Sequence, residues 1–446
     1  MYFIKKTTGE DFRTLGFFLI PVPFLIYLLY IIPREASLAV LGIFSCLFIW
    51  HGLIYTKLPK IPLKWIILAG LAYRILAVPP TPSLSDDYFR FLWDGQLLIH
   101  GENPFSRLPE DIKPTEYAAL GLQQGLYTGL NSPSYFTIYP PVNQGFFALA
   151  AAIGGDNIPR GLWVLKLAIL LAEILSFWFL YKLLCAWKKP TWWLGLYALN
   201  PLVIVELTGN IHFESWMICG ILGSLYFLQK HKIIISAVFC GIAIASKLLP
   251  IMFFPLLIPV LGWRKSIIYG AVASLVGFVG FLALPHPEAV FNILESVGLY
   301  FENFEFNSSI YQWLKWAGIP HKLLGKTLPL LVILSILYMT WRSKDKGLNI
   351  LARNMLIALS LYFICARIVH PWYITTLVAL TSLTQLRYPL IWTSLLPITY
   401  LTYETTLYQQ PYALMSLAYI VLAIYTFFEI KQLPDNQALS SKYHSP

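Results

Sequence analysis

The chain has 446 residues, of which 57% are apolar and only 12% are charged, with a formal net charge of +10. A soluble globular protein has about 25% charged residues, so this composition excludes a soluble enzyme, a disulfide-rich secreted scaffold and a disordered chain. The basic residues punctuate apolar runs and form no continuous basic face, which excludes a nucleic-acid partner. The composition therefore indicates an all-α integral membrane protein.

Apolar runs follow one another along the chain and predict a polytopic bundle of about 13–14 transmembrane helices, since one span needs about 20 apolar residues. Several runs have only about 15 residues, so we expect some helices to be short, tilted or broken. The predicted spans are 14–33, 37–55, 62–79, 161–183, 191–208, 212–229, 233–247, 248–262, 266–285, 327–341, 351–369, 372–386, 388–402 and 411–429.

Basic residues set the predicted orientation, because the cytoplasmic loops of membrane proteins carry an excess of Lys and Arg. Crossing at each span places 20 of the 32 basic residues on one side, which is then the cytoplasm, and most acids on the other side. This count requires that the apolar run 139–155 does not cross. The run is short and begins with Tyr139-Pro140-Pro141, so it predicts a juxtamembrane helix on the outer surface.

Two connections on the outer side are long, namely 80–160 and 286–326, whereas the other connections are short. Long structured loops in a compact protein are usually functional. We divide the chain into N-terminal transmembrane helices (1–61), a transmembrane domain that carries both outer loops (62–432) and a polar cytoplasmic tail (433–446). The tail is predicted to be disordered.

The segment 85–95, with the sequence SDDYFRFLWDG, follows the third span and places Asp86 and Asp87 at the outer membrane surface. In a helix Asp86 and Arg90 share one face, as do Arg90 and Asp94, because the members of each pair are four residues apart. A simple helix cap at either of the two adjacent acids is the alternative. Aromatic neighbours indicate a half-buried helix, where an unpaired carboxylate is costly, so the functional interpretation is favoured.

Further polar residues gather at the same predicted membrane face: Asn103, Tyr139, His212, Glu214, Lys247, Arg367, His370 and Tyr373. Simpler interpretations exist for some of them. His212 and Glu214 could form an interfacial pair, and Lys247 could extend to the lipid headgroups. Trp372 and Tyr373 could be aromatic belt residues. No His-x-x-x-His pair is present, so no metal site is expected. These alternatives do not explain why acids, cations and histidines share one face.

This set of residue types suits the transfer of a sugar from a lipid phosphate. The phosphate departs without needing a proton, so the site needs one carboxylate base that activates an acceptor hydroxyl and cations that hold the phosphate. Asp86 or Asp87 would supply the base. The cations would come from Arg90, Lys247, His370 or Arg367.

The same segments resemble the GT-C glycosyltransferases, and most closely the mannosyltransferase branch that uses polyprenyl-phosphate sugars. The first outer loop carries Ser-Asp-Asp-Tyr-x-Arg-x-Leu-Trp-Asp-Gly from Ser85, then Gly-x-Asn-Pro-Phe from Gly101, then Tyr-Pro-Pro from Tyr139. Later motifs follow in the family's order: Asn200-Pro201-Leu202 with Glu206, Gly209-x-x-His212-x-Glu214, Ser246-Lys247-Leu248 with Pro250, and His370-Pro371-Trp372-Tyr373.

The resemblance implies a GT-C-like bundle with juxtamembrane helices after the first loop, and an acid of that loop, here Asp86, as the catalytic base. Asp87 is its neighbour in the acid pair. The residues expected to bind the donor phosphate or substrate are Arg90, Asp94, Asn103, Tyr139, His212, Glu214, Lys247, Arg367, His370 and Tyr373. In two respects the chain departs from the family: Glu214 stands where Asp is expected, and two spans precede the one that leads into the catalytic loop.

We therefore expect a membrane glycosyltransferase that moves a hexose, mannose by the resemblance, from a polyprenyl-phosphate donor to a lipid or glycan acceptor. The site would face outward from a bacterial plasma membrane, among membrane lipid and without a cofactor. A transferase for another hexose or an aminosugar, a transporter or flippase of a lipid-linked glycan, and a silent assembly subunit are the alternatives. A transporter should place ionisable residues at mid-membrane facing a pathway, and only Glu173 clearly lies at mid-span.

Overall fold

The fold is described from a computed structural model that covers residues 15–282, 291–292, 295–296, 298, 304–343, 346–404 and 408–442. Within these ranges the regular structure is helical, apart from one parallel β-bridge between Phe306 and Ile368, which confirms the all-α prediction. The described α-helices of seven or more residues are α1 Pro21–Tyr30, α2 Ser37–Tyr55, α3 Leu63–Ala77, α4 Asp87–Ile99, α5 Pro141–Gly154, α6 Ile158–Ala186, α7 Glu214–Gln229, α8 Ile233–Ser246, α9 Phe254–Leu261, α10 Trp263–Leu282, α11 Ile310–Trp316, α12 His321–Arg342, α13 Leu348–Cys365, α14 Thr375–Thr381, α15 Tyr388–Leu395 and α16 Tyr412–Lys442.

Six of the described helices are long and apolar enough to cross a membrane by length and composition, and they are α2, α6, α10, α12, α13 and α16. Each coincides with a predicted span, and the polytopic membrane fold is confirmed. Other predicted spans correspond to shorter or interrupted helices, as expected for apolar runs of limited length. Helix α5, with 14 residues, is too short to cross, and its position on the outer surface stays a prediction.

Two predictions concern residues that are only partly described. Helix α16 runs to Lys442, so the backbone stays helical into the segment 433–446 for which disorder was predicted. Polar composition alone does not stop a helix that has begun, because propagation is far easier than nucleation. In the loop 286–326, residues 286–290 lie outside the described residues, as do several positions up to 303.

A sharp break precedes α7, because the helical segment Pro201–Gly209 is bent by 114° relative to it. Asn200 starts that segment by accepting hydrogen bonds from two of its backbone N–H groups, and Pro201 fits the first helical position, where no N–H is needed. The segment continues as a π-helix over Ile204–Gly209, a distortion that is frequent at functional sites. His212 lies in the break that follows.

Helices α4 and α5 pack closely and carry most of the first outer loop between them. Gly95 of α4 permits this approach, because a Cβ there would lie 2.2 Å from the carbonyl oxygen of Phe147. Arg90 and Asp94 form the predicted ion pair, with Nε 2.7 Å from Oδ1. Gln144 of α5 donates to Oδ2 of Asp94 at 3.0 Å. These buried polar groups therefore fix α4 against α5.

Arg74 of α3 and Glu173 of α6 form a fully buried ion pair inside the bundle, with Nε 2.5 Å from Oε2. Tyr197 donates a hydrogen bond to Oε1 of Glu173. Arg74 Nη1 donates to the carbonyl of Ala198 at 2.7 Å, and its guanidinium lies 4.6 Å from the ring centre of Phe177. Each oxygen of Glu173 thus has a donor from the protein. We call this group the bundle ion pair.

Helix α1 and the residues just before it are joined to α3 by side-chain hydrogen bonds. The hydroxyl of Tyr30 donates to the carbonyl of Leu76 at 2.8 Å, and that of Tyr73 donates to the carbonyl of Phe18 at 2.6 Å. These contacts hold the turn between α1 and α2, which carries Arg34, at the same end of the bundle as the start of α4. The boundary at residue 61 between two domains stays a prediction.

Candidate active site

Asp86 occupies the N-cap position of α4, yet its side chain makes no capping hydrogen bond. It forms an ion pair with Arg34, with Oδ2 2.5 Å from Nη2, and its side chain remains 31% exposed. The Arg34 guanidinium also lies over the ring of Tyr403, 5.0 Å from its centre. Burial raises the pKa of Asp86 above its ordinary value, and the charge of Arg34 opposes this shift. Asp86 is therefore an accessible carboxylate of increased basicity.

Asp87, the first residue of α4, faces a different set of groups. Its Oδ2 accepts a hydrogen bond from the hydroxyl of Tyr139 at 3.2 Å, and its Oδ1 accepts one from the amide of Asn131 at 3.2 Å. Nε2 of His212 lies 3.9 Å from Oδ2. Asp87 therefore connects the first outer loop with the break before α7.

Glu206 of the π-helix holds His212 from the side opposite Asp87. Nδ1 of His212 lies 2.8 Å from the carbonyl oxygen of Glu206 and 3.2 Å from its carboxylate Oε2. Tyr400 donates to Oε1 of Glu206, and Asn210 donates to Oε2 at 3.4 Å. Nε2 of His212 is buried without a hydrogen-bond partner. The imidazole is thus fixed by one nitrogen and presents the other toward Asp87.

The ring of His212 belongs to an aromatic stack. Its centre lies 3.9 Å from that of Trp372, which lies 4.3 Å from that of His370, which in turn lies 4.7 Å from that of Phe306. Trp372 packs between the two imidazoles, and this packing explains its position without assigning it to an aromatic belt at the membrane interface. Burial lowers the pKa of His370 to about 3, and the nearby His212 and Lys247 add to the shift. His370 is therefore neutral near pH 7 and is not a source of positive charge there.

Lys247 follows α8 and pairs with Glu214, with Nζ 3.1 Å from Oε1. Nζ also lies 5.6 Å from the ring centre of Tyr139 and 5.8 Å from that of Tyr373. The side chain of Lys247 remains 23% exposed, while Oε2 of the buried Glu214 has no hydrogen-bond partner. Lys247 thus points into the protein toward Glu214, which argues against the simpler interpretation of a headgroup-directed lysine.

These contacts close a circuit of side chains, which we call the active-site ring: Asp87, Tyr139, Lys247, Tyr373, His370, Trp372 and His212. Tyr373 completes it, since its ring centre lies 5.4 Å from that of His370. The members come from five separate parts of the chain, and the sequence placed them all at one membrane face. The ring combines a carboxylate, a cation, two imidazoles and two phenols, so it can accept protons and bind an anion.

Arg90, Asp94 and Asn103 lie beside the ring and shape the first outer loop. Arg90 Nη1 donates to the carbonyls of Tyr135 and Ser132 at 2.9 and 3.3 Å, and the Arg90 residue is only 4% exposed. Oδ1 of Asn103 accepts from the backbone N–H two residues later at 2.9 Å, which forms a turn. Their contacts indicate positioning of the loop, while direct contact of these three residues with a donor stays a prediction.

Arg367 lies in a second charged group with Glu305 and Lys315. Its Nη2 is 2.9 Å from Oε1 of Glu305, and Nζ of Lys315 is 2.8 Å from Oε2. The residues that follow Arg367 and Glu305 form the parallel β-bridge. Arg367 therefore braces the backbone that leads to His370. Within the ranges that the structure describes, no group of three or more His, Cys, Asp and Glu side chains is arranged to hold a metal ion.

Sequence reasoning did not place Arg34, Tyr400 and Tyr403 in the site, and it treated Glu206 only as part of a motif. Arg34 lies in the short turn between the first two predicted spans, so its predicted side of the membrane was a usable signal. Glu206 was marked by its place in the Asn-Pro-Leu motif. Tyr400 is 194 residues from Glu206 in the chain, and no local pattern connects the two.

The helical bundle and the active-site ring, with its acid and its lysine, are the features expected of a membrane-bound glycosyltransferase. A family model described as the alpha-(1->6)-mannopyranosyltransferase N-terminal domain matches residues 29–263, which is more than half of the chain. The chain therefore belongs to this family and is a membrane mannosyltransferase. No curated protein and no solved structure matches the chain.

Proposed function

We propose that this mannosyltransferase transfers mannose from a polyprenyl-phosphate donor to a lipid or glycan acceptor on the outer face of a bacterial plasma membrane. The observation that carries the proposal is the active-site ring, in which an acid, a partly exposed lysine and an unpartnered imidazole nitrogen lie together. The description of the family supports an α-1,6 linkage in the product.

The reaction needs one proton acceptor and one anion site. A carboxylate removes the proton from the acceptor hydroxyl as its oxygen forms a bond to C1 of the sugar. The bond between C1 and the phosphate oxygen breaks, and its electron pair leaves with the phosphate. Negative charge grows on the phosphate in the transition state, so a cation that meets it there accelerates the reaction.

Asp86 is the proposed base, and its contacts distinguish it from its neighbour. Asp87 accepts hydrogen bonds from Tyr139 and Asn131, so both of its oxygens are engaged by the protein. For Asp86 burial outweighs the attraction of Arg34, so that its pKa is raised. Asp87 then orients Tyr139 and the first outer loop beside the base.

Lys247 is the proposed cation for the donor phosphate, because its side chain is partly exposed and its ammonium can donate to an oxygen while Glu214 holds it in place. His212 would meet a substrate hydroxyl with its unpartnered Nε2. His370 is neutral because burial lowers its pKa to about 3. It would therefore contribute hydrogen bonding and, with Tyr373, an aromatic wall.

The outward orientation rests on the distribution of charge in the loops. The connections after α2 and α6, and the one between α7 and α8, carry Lys residues, as the cytoplasmic side requires. The first outer loop would then present the active-site ring at the level of the lipid headgroups. A lipid-linked donor carries its sugar phosphate at that level, so the proposed site and the proposed donor match in depth.

The transporter alternative depended on an ionisable residue that faces a pathway, and Glu173 was the candidate. Glu173 is fully buried and both of its carboxylate oxygens are engaged, by Arg74 and by Tyr197. A carboxylate in this state links helices and offers no group to a passing solute. The observation that favoured a transporter therefore supports a structural role.

The proposal is tested by incubating the purified protein in nanodiscs with labelled polyprenyl-phosphate mannose and a panel of lipid and glycan acceptors. Transfer is expected from this donor and not from a nucleotide-linked mannose. Asp111→Asn is the matched control for Asp86→Asn, since it removes an exposed acid from the same loop. Transfer from a nucleotide sugar alone, or equal loss in both variants, would contradict the proposal.

A further inference from the structure

Arg34 reaches Asp86 from a part of the chain that lies before the predicted catalytic loop. The turn between α1 and α2 carries it, and these two helices are the ones that precede the span leading into that loop. Nη2 of Arg34 lies 2.5 Å from Oδ2 of Asp86, and the Arg34 side chain is 17% exposed. The ion pair therefore lies at the opening of the site, where a substrate can still reach the carboxylate.

We propose that Arg34 is the positioning residue of the base and that its guanidinium fixes the Asp86 carboxylate in the orientation that accepts the proton. The inference rests on the proposed function, because it takes Asp86 as the group that activates the acceptor hydroxyl. Arg34 engages Oδ2, so Oδ1 is the oxygen that meets the hydroxyl. The two N-terminal helices are then part of the catalytic machinery.

Arg34 is itself held in place by groups from both sides. Its guanidinium lies over Tyr403 at 5.0 Å from the ring centre, and Nε lies 3.3 Å from the carboxylate of the exposed Glu35. On the following helix α2, Phe44 stacks against Tyr400 with ring centres 5.7 Å apart, and Tyr400 donates to Glu206. Arg34 and helix α2 thus contact residues around the proposed base and residues around His212.

The charge of Arg34 also determines when Asp86 is ionised. The groups that face Asp86 are Arg34 and Glu35 from the turn, Asp87 and Tyr88 from α4, and Tyr403 from the segment Leu396–Glu404. Burial raises the pKa of Asp86, Arg34 lowers it, and the two neighbouring acids raise it further. Without Arg34 the burial of Asp86 and its two neighbouring acids favour the protonated carboxyl, which cannot act as a base.

The test compares rate against pH for the wild type, Arg34→Gln, Arg34→Met and Arg34→Lys. In both neutral variants kcat at pH 7 is expected to fall by about 10²-fold, the effect of a misplaced catalytic group, with a nearly unchanged donor KM. The acidic side of their pH–rate profile is expected to move to higher pH by about 1–3 units, because one opposite charge at close range lowers the pKa of a carboxyl by about that much. Arg34→Lys should keep this side of the profile near its wild-type position.

Arg107→Gln is the matched control, because Arg107 also pairs with an acid in the first outer loop, with Nη2 2.9 Å from Oε2 of Glu116, and it should leave rate and profile almost unchanged. The double variant Arg34→Gln/Asp86→Asn should be no slower than Asp86→Asn alone. If a folded neutral variant keeps the wild-type profile while the wild type transfers mannose, Arg34 has no positioning role. A wild type that transfers nothing from the polyprenyl donor would instead overturn the proposed function.

Discussion

The bundle ion pair and the active-site ring both bury carboxylates beside cations, but they leave different groups unsatisfied. In the bundle ion pair, each oxygen of Glu173 has a donor, and both charged residues are fully buried. In the ring region, Nε2 of His212 and Oε2 of Glu214 lack hydrogen-bond partners, and Lys247 remains 23% exposed. The bundle ion pair also leaves one buried atom, Nη2 of Arg74, without a hydrogen-bond partner, but neither of its charged residues is exposed. Access from solvent therefore separates the two regions and indicates a structural role for the first and a ligand for the second.

The largest expected effect is a loss of activity at Asp86, which adjoins Asp87 of the active-site ring. Asp86→Asn keeps the size of the side chain and removes the proton acceptor, so transfer should fall by about 10²–10⁴-fold. Thermal stability in nanodiscs and donor affinity should change little, because the carboxylate acts on the acceptor hydroxyl. Transfer rate and donor binding are measured for Asp86→Asn and Asp87→Asn together. Wild-type turnover in Asp86→Asn with loss in Asp87→Asn would assign the base to Asp87.

Breaking the bundle ion pair should do the opposite. Glu173→Leu leaves the Arg74 charge buried and unpaired, which should lower the free energy of unfolding by about 3–5 kcal/mol. The double variant Arg74→Met/Glu173→Leu should recover most of that loss, since similar apolar volumes replace both charges. Thermal unfolding in detergent measures the effect. Activity per folded molecule should stay near the wild-type value, and a specific loss of transfer would make the pair functional.

A smaller effect is expected at the cation of the ring. Lys247→Ala removes a charge-assisted hydrogen bond, which is typically about 1.5–3 kcal/mol, so donor affinity should fall by roughly 10–100-fold. Transfer should slow as well, because charge on the phosphate increases as the bond breaks. Equilibrium binding of a polyprenyl phosphate to the variant and to Lys247→Arg tests this expectation. Unchanged binding in Lys247→Ala would remove Lys247 from the donor site.

The smallest effect concerns pH. His370 has a pKa lowered to about 3 by burial, so it stays neutral from pH 5 to 8 and becomes charged only in stronger acid. His370→Gln should therefore change the rate by a few-fold at most, an effect near that of one neutral hydrogen bond, and should leave the shape of the pH–rate profile between pH 5 and 8 intact. If the variant loses a rise or fall of the rate that the wild type shows between pH 5 and 8, then His370 titrates in that range.

The all-α bundle could be predicted from the sequence because helices that cross a lipid bilayer need long apolar segments, and such segments are visible in the sequence. Sequence reasoning also brought Asp87, His212, Lys247 and His370 to one face, since the side of the membrane follows from counting crossings. It did not reach the pairs Arg34–Asp86 and Arg74–Glu173 as contacts. Such pairs depend on how helices pack, and a helix with apolar residues on all sides carries no periodic signal of which face meets which neighbour.

The break before α7 and the segment after α13 contribute to one site, although they lie in different halves of the chain. The matched family region ends at residue 263, yet His370, Trp372 and Tyr373 lie beyond it and stack directly on His212. The matched region therefore contains the acids and the lysine but only part of the enclosure around them. A chimera between two relatives joined after residue 263 would pair one parent's base with the other parent's wall, and its acceptor preference would show which half of the chain selects the acceptor.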